Sequence, residues 1–222
     1  MRNMTHPRPI GKSRLRQWAL LALRSIAPKR RLLVSGDSKV PTVYLTFDDG
    51  PDPETTPDIL DVLRRHRVLA TFFVVGRQVQ AHPDIVRRIS AEGHTIGGHT
   101  FSHQAPQETT SKELIGEIRQ TDLLLRKIIG QGCRLFRPPF GKLTFTKLFR
   151  LWADRRTIVL WNRDPKDFST SSSKRLATWF RANPLVAGDV ILLHDTSAST
   201  ATVLDEVIVH TRRSGLDFSP LD

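Results

Sequence analysis

The run Thr46-Phe47-Asp48-Asp49-Gly50-Pro51 sets two carboxylates side by side at the mouth of an apolar stretch. Further along, His99 and His103 lie one helical turn apart in Gly97-Gly98-His99-Thr100-Phe101-Ser102-His103, so both imidazoles can reach one point in space. One Asp with two His matches the open shell of a catalytic zinc ion, in which three protein ligands leave a fourth position for water or substrate. Cys133 is the single cysteine, so a closed, thiolate-rich structural site has no material. The N/O donor set suits Zn²⁺ first, with Co²⁺ or Ni²⁺ as alternatives. If Asp49 binds the ion, Asp48 is left to take a proton from bound water, whose pKa such an ion lowers to about 7. Each piece also has a plainer reading. Asp-Asp-Gly-Pro alone is turn chemistry, and a His pair at this spacing is ordinarily a surface or capping feature. Together they are harder to dismiss: Gly50 and Pro51 end the strand just past the acids, and Gly97 and Gly98 allow backbone to approach whatever the histidines hold.

Three further segments follow in order: Phe136-Arg137-Pro138-Pro139-Phe140-Gly141, Trp161-Asn162-Arg163-Asp164-Pro165-Lys166-Asp167-Phe168 and Ile191-Leu192-Leu193-His194-Asp195. With them the chain resembles the polysaccharide deacetylases, the family 4 carbohydrate esterases with a NodB homology domain that include chitooligosaccharide deacetylases. The resemblance runs over residues 43–221. It implies that Asp49, His99 and His103 hold the metal, that Asp48 is the catalytic base, and that Arg137 pairs with Asp48 to keep it ionised. His194 is then the general acid, its ring held and its pKa raised by Asp167. The backbone N–H of Phe140 helps stabilise the tetrahedral oxyanion, a task for a preorganised donor rather than a given side chain, so Phe in place of the family's usual Tyr leaves that role intact. Leu192 and Phe168, with Trp161, belong to the pocket for the acetyl group.

The implied activity is metal-dependent hydrolytic removal of N-acetyl groups from an N-acetylhexosamine-containing glycan or oligosaccharide. The chemistry agrees with two tuned groups, because an amine cannot leave as an anion: one group must accept the water's proton and another must deliver one to nitrogen. An arginine beside one and a carboxylate beside the other separates those roles. The same set would serve an O-acetyl ester or a non-sugar amide, and a glycan- or membrane-binding protein with an inactive site is the alternative outside enzymes. This chain departs from the family at Phe168, where Trp is usual, at Gly98, where Asn often precedes the first metal His, and at Asn162-Arg163. These departures bear on pocket shape and substrate preference more than on the reaction.

The elements that must position these groups read as alternating strands and helices. Apolar β-rich runs fall at residues 43–47, 70–75, 135–137, 157–161 and 190–193, with shorter candidates near Thr95 and Phe218. A helix over 56–66 has Pro57 in its first turn, a second over 83–92 closes on Gly93, and Thr110-x-x-Glu113 is a capping box before a helix ending at Gly130. Alternation argues for a parallel sheet covered by helices. The family resemblance implies a distorted (β/α) barrel of seven parallel strands in a single α/β domain. Asp48, Arg137, Trp161 and His194 fall at or just past the C-terminal ends of candidate strands, the end where such barrels keep their sites.

Charge divides the chain in two. The net charge is +12 over 222 residues. Residues 1–40 carry +9 of it, from ten Lys or Arg against Asp37, and the catalytic domain expected over 41–222 carries the remaining +3. The apolar run 18–23 is too short for a bilayer span of about 20 residues or a signal-peptide core of about 7 to 15. With a lone cysteine and hence no intrachain disulfide, the expectation is a cytoplasmic protein. Residues 12–31 read first as a solvated tail or a helix on the barrel, and as a basic amphipathic helix on the inner membrane face in the alternative. Nucleic acid is not an expected partner, since no recognition motif and no basic face on the domain is visible.

Overall fold

The computed structural model describes residues 31–105 and 108–222. The helix expected over 12–31 lies outside them, apart from its last residue. Eight strands appear: β1 (Leu32–Leu33), β2 (Thr42–Asp48), β3 (Thr71–Val74), β4 (Thr95–Gly98), β5 (Leu135–Phe136), β6 (Thr157–Val159), β7 (Val190–His194) and β8 (Asp217–Phe218). Seven of them run in the order β1-β6-β5-β4-β3-β2-β7, every pair parallel, and β8 adds to the start of β2. The result is a curled half-barrel of seven parallel strands, as expected. Its two edges approach each other. Arg163, just past β6, bridges to Ile191 in β7, and Gly36, just past β1, donates to the carbonyl of Gly188 at 2.8 Å. β1 lies inside the segment set apart by its charge, so that basic stretch ends in the barrel wall.

Seven helices cover the sheet among the described residues: α1 (Thr55–His66), α2 (Gly76–Ala81), α3 (Pro83–Ala91), α4 (Ser111–Ile129), α5 (Phe145–Ala153), α6 (Ser173–Ala182) and α7 (Ala198–Arg213). The Thr110/Glu113 capping box closes reciprocally, and Gly130 ends α4 in the left-handed conformation at φ +77°, which costs glycine least. Strand alternation separates two faces. Val43, Leu45, Phe47, Ile191 and Leu193 join Ile59, Leu60, Leu63, Leu204 and Val207 in the outer core under the helices. Phe73, Leu135, Val159 and Val190 pack inside, with Leu221 of the C-terminal tail among them. The tail is pinned there by Leu221 N–H donating to Thr71 Oγ1 at 2.8 Å. Interior positions near the C-terminal strand ends are polar, and they build the site.

Candidate active site and metal centre

Asp48 and His194 are the last residues of the neighbouring strands β2 and β7 and are paired in register. His99 follows β4, and Arg137 follows β5. The fully buried Arg137 reaches across the barrel. Its Nη1 donates to Asp48 Oδ1 at 2.6 Å and to Thr46 Oγ1 at 2.8 Å, and its Nη2 donates to the Leu160 carbonyl at 3.2 Å. The guanidinium lies 4.1 Å from the Phe73 ring centre and 5.5 Å from that of Trp161. Burial pushes the pKa of Arg137 down while Asp48 opposes the change. An ion pair this deep stands only when its remaining donors are met, and carbonyls and a hydroxyl meet them here.

One ligand atom from each of Asp49, His99 and His103 lies within 4.8 Å of the others. Asp49 Oδ1 is 3.5 Å from His99 Nε2 and 3.2 Å from His103 Nε2. His99 Nδ1 donates to the Arg137 carbonyl at 2.7 Å, which fixes the tautomer and turns the Nε2 lone pair toward Asp49, as a metal-bound imidazole requires. Burial alone would raise the Asp49 pKa, but the surrounding His99, His103 and His194 outweigh it and pull it to about 2. Burial and the neighbouring His99 hold His103 below its usual range, toward the neutral form that binds metal. Asp49 Oδ1 is buried with no hydrogen-bond partner, a costly state for a carboxylate oxygen that an ion bound by the triad would relieve. The residues therefore fit a divalent metal ion.

The histidines do not converge by helical spacing. Residues 99–103 form an irregular turn after β4, with left-handed φ of 65° at Thr100 and 58° at His103. Asp49 (79°), Phe140 (57°) and Lys166 (60°) share that region, where each non-glycine residue costs about 1–3 kcal/mol. Five such residues around one cleft mark a backbone bent to aim side chains. Gly97 and Gly98 do not bring backbone to the ligand site. A Cβ at Gly97 would come 2.5 Å from the Phe73 ring, and one at Gly98 would come 3.0 Å from Cys133 Sγ, so both are packing glycines, and Cys133 fills the space a larger residue at 98 would need.

His194 is braced by Asp167, which Thr200 holds in turn. Its Nδ1 donates to Asp167 Oδ1 and its backbone N–H to Asp167 Oδ2, both at 2.7 Å, while Thr200 Oγ1 donates to the same Oδ2 at 2.6 Å. Burial opposes the charged ring, but the hydrogen bond and charge of Asp167, helped by Asp48 and Asp49, raise its pKa to about 9. Its Nε2 stands 3.9 Å from Asp49 Oδ2. A cleft of about 360 Å³ opens over these groups, lined by every residue to which the resemblance gives a site role except the buried Arg137 and Asp167. Phe140 packs 4.9 Å from His103, and Phe168 meets His194 edge-on at 5.3 Å; both rings are mainly exposed. Leu192 and Trp161 line the cleft with them.

Several working residues escaped the sequence reading. Thr200 lies just past the Ile191–Asp195 motif and outside it. Lys142, Asp164 and Lys166 also line the cleft. Asp195, quoted only as a motif neighbour, is 1 % exposed and accepts from Thr56 Oγ1 at 2.8 Å and from the Gly50 N–H. A Cβ at Gly50 would come 1.9 Å from its Oδ2, so this carboxylate packs directly against the turn carrying Asp49. The unusual Asn162-Arg163 pair has a structural task. Asn162 Nδ2 donates to Asp189 Oδ1 at 2.7 Å, Arg163 Nε lies 2.9 Å from Asp189 Oδ2, and the Val190 N–H donates to Asn162 Oδ1 at 2.7 Å. Together they tie the chain after β6 to the start of β7.

Residues 35–153 match the family model described as polysaccharide deacetylase. The chain belongs to the polysaccharide deacetylase family. A peptidoglycan-N-acetylglucosamine deacetylase of Bacillus cereus is 36% identical over 193 residues, covering 84% of this chain and 69% of that protein. A chitooligosaccharide deacetylase of Bradyrhizobium is 35% identical over 195 residues, covering 81% of this chain and 89% of that protein. Among solved structures, the Bc1960 peptidoglycan N-acetylglucosamine deacetylase superposes with a TM-score of 0.83 at 34% identity, covering 87% of this chain and 92% of that one. The protein is thus a hydrolase of the deacetylase type, acting on carbon–nitrogen bonds other than peptide bonds. Among the described residues no helix is long and apolar enough to cross a membrane.

Proposed function

We propose that this polysaccharide deacetylase hydrolyses the N-acetyl groups of an N-acetylhexosamine-containing glycan, releasing acetate and leaving a free amine. The observation that carries this reading is the meeting of three units within one cleft: the Asp49/His99/His103 triad, a carboxylate held by an arginine, and an imidazole held by a carboxylate. Asp48 Oδ2 lies 3.8 Å from His99 Nε2 and His194 Nε2 lies 3.9 Å from Asp49 Oδ2, so a base and an acid both border the triad.

Asp49, His99 and His103 would hold the ion, which when bound supplies Lewis acidity that acidifies water and polarises an acyl oxygen. Asp48, kept from turning by Arg137, accepts the proton of the attacking water. His194, protonated and oriented by Asp167, delivers a proton to the departing nitrogen, so that the amine leaves neutral. The Phe140 N–H is placed in this reading as the donor to the developing oxyanion. Phe168, Leu192 and Trp161 line the pocket for the acetyl methyl. Every group given a role in this reading lies within residues 41–222, and Leu32–Leu33 add β1 to the wall.

Relatives named for chitooligosaccharides and for peptidoglycan support the substrate class, and short N-acetylglucosamine oligomers or a lipid-linked precursor are the first substrates to offer. The test is acetate release from such oligomers and from peptidoglycan fragments, after chelation and again after restoring Zn²⁺ or Co²⁺. Metal-restored acetate with an equal yield of amine is the expected outcome. Acetate with a new hydroxyl from O-acetylated peptidoglycan fragments, and none from the N-acetylated oligomers, would make the enzyme an esterase, and no release by metal-loaded protein would overturn the reading.

A further inference from the structure

We propose that the exposed face of α5 docks on an anionic lipid bilayer. Phe145 and Phe149 lie one turn apart on this helix and are 64% and 61% exposed, whereas Leu148 and Leu151 on its other side are buried in the core. Phe149 meets the half-buried Trp152 edge-on at 5.6 Å. Two exposed phenylalanines backed by a tryptophan contribute little to holding the domain together, and a contiguous apolar patch on a soluble surface ordinarily has a partner.

Two observations select the partner. The first is charge. Lys142, Arg150 and Arg155, all exposed, flank the two phenylalanines along the chain, and Asp154, the one acid in residues 142–155, is taken up by Arg156 at 3.1 Å and Arg119 at 3.6 Å. Apolar rings framed by basic side chains match a surface of anionic headgroups over acyl chain. The second is where the chain enters. Trp152 Nε1 donates to the Arg31 carbonyl at 3.0 Å, and Arg31 Nη1 donates back to the Trp152 carbonyl at 2.5 Å. Residues 1–30, with eight Lys or Arg, no Asp or Glu, and the apolar run 18–23, are therefore joined to the domain at the end of this helix. Their charge has the same sign as the face, so they are poorly suited to cover it and well suited to bind the same anionic surface beside it. The cleft rim at Phe140 and Lys142 runs straight into the first turn of α5, so docking there holds the cleft mouth close to the lipid.

The test uses the full chain, with Phe149→Cys carrying a polarity-sensitive fluorophore and Leu69→Cys, in the turn before β3, as the control. Cys133 is only 8% exposed and escapes labelling. Vesicles of phosphatidylcholine with phosphatidylglycerol should shift the label at 149 to the blue and leave the label at 69 unchanged, and vesicles of phosphatidylcholine alone should shift neither label. Unlabelled F145S/F149S, if it unfolds at the wild-type temperature, should partition onto the anionic vesicles at least roughly tenfold more weakly, since even partial withdrawal of two apolar rings implies that much. The proposal fails if vesicles bind the chain while the label at 149 stays silent, or if F145S/F149S partitions like wild type. It fails equally if that label is already blue-shifted without vesicles, which would mean that the chain's own N-terminal segment covers the face, or if soluble glycan rather than lipid moves it.

Discussion

Asp48 and Asp49 are chemically identical neighbours given opposite surroundings. Asp48 points into the barrel against a buried guanidinium; Asp49, turned outward by a left-handed φ, faces three imidazoles. Their roles should therefore separate on substitution. Asp48→Asn keeps the shape and the triad, so metal content by elemental analysis should stay stoichiometric while kcat falls by about 10²–10⁴, the usual worth of a general base. His99→Ala should instead lose the metal, with activity following. If Asp48→Asn turned over at the wild-type rate, the base would have to be another group. Asp195 gives a second test at this scale. Its carboxylate holds the Gly50 N–H behind Asp49, and burial, with the Asp49 charge, pushes its own pKa up to about 7. Asp195→Ala should loosen that turn and weaken metal affinity by about 10–100-fold, the common effect of losing a group that orients a ligand. A chelator competition assay reads the effect directly, and unchanged affinity would reduce Asp195 to a packing residue.

At the scale of elements, the strands and the helices α1, α3 and α4 were legible because apolar alternation, Pro at a helix start and a capping box are local signals. β1 was not: two leucines inside a strongly basic segment form a strand only because β6 leaves an edge for them. The His99/His103 pair was legible as a site and misleading as a helix, because spacing gives the residues but not the left-handed turn that brings them together. Asn162-Arg163 read as a departure, and its partner Asp189 lies too far along the chain for any motif to join them. His94, at the junction of α3 and β4, is buried, and its environment carries a pH test. Its Nδ1 accepts from the Ala70 N–H at 3.2 Å, and its Nε2 is buried without a partner. Burial lowers its pKa to about 4 from an ordinary 6.5, with Glu92 opposing. Below pH 6.5 the unfolded chain therefore takes up a proton that the folded ring refuses. Full stability holds above pH 6.5, and about 3 kcal/mol of it is lost as the pH falls toward 4. His94→Gln retains an acceptor for Ala70 without titrating, so urea midpoints of the variant should fall less steeply than wild type between pH 6.5 and 4. Parallel slopes would mean that the ring charges in the folded state.

For the whole molecule, the sequence carried the reaction class further than the architecture. Five ordered motifs pointed to the family and the strand ends to the site, whereas the closing of the curl depends on contacts between residues far apart in sequence: Arg163 with Ile191, Gly36 with Gly188, and Leu221 with Thr71. No periodicity reports these. They matter because the site is assembled from β2, β4, β5 and β7 at once, so the ligand triad exists only when the barrel does. An ion held by the triad should then bind the native state far better than the unfolded chain, and metal should act as a global stabiliser. At a free metal concentration of about 100 times Kd the gain is roughly 2.7 kcal/mol, which in a domain of about 150–250 residues corresponds to a Tm rise of about 5–10 °C. Differential scanning calorimetry of chelated and Zn²⁺-loaded protein should record that rise in wild type and in Asp48→Asn, and no rise in His99→Ala. An equal rise in His99→Ala would mean that the ion binds elsewhere. No rise in wild type, at a metal concentration that restores acetate release, would mean that the unfolded chain competes for the ion through its own histidines.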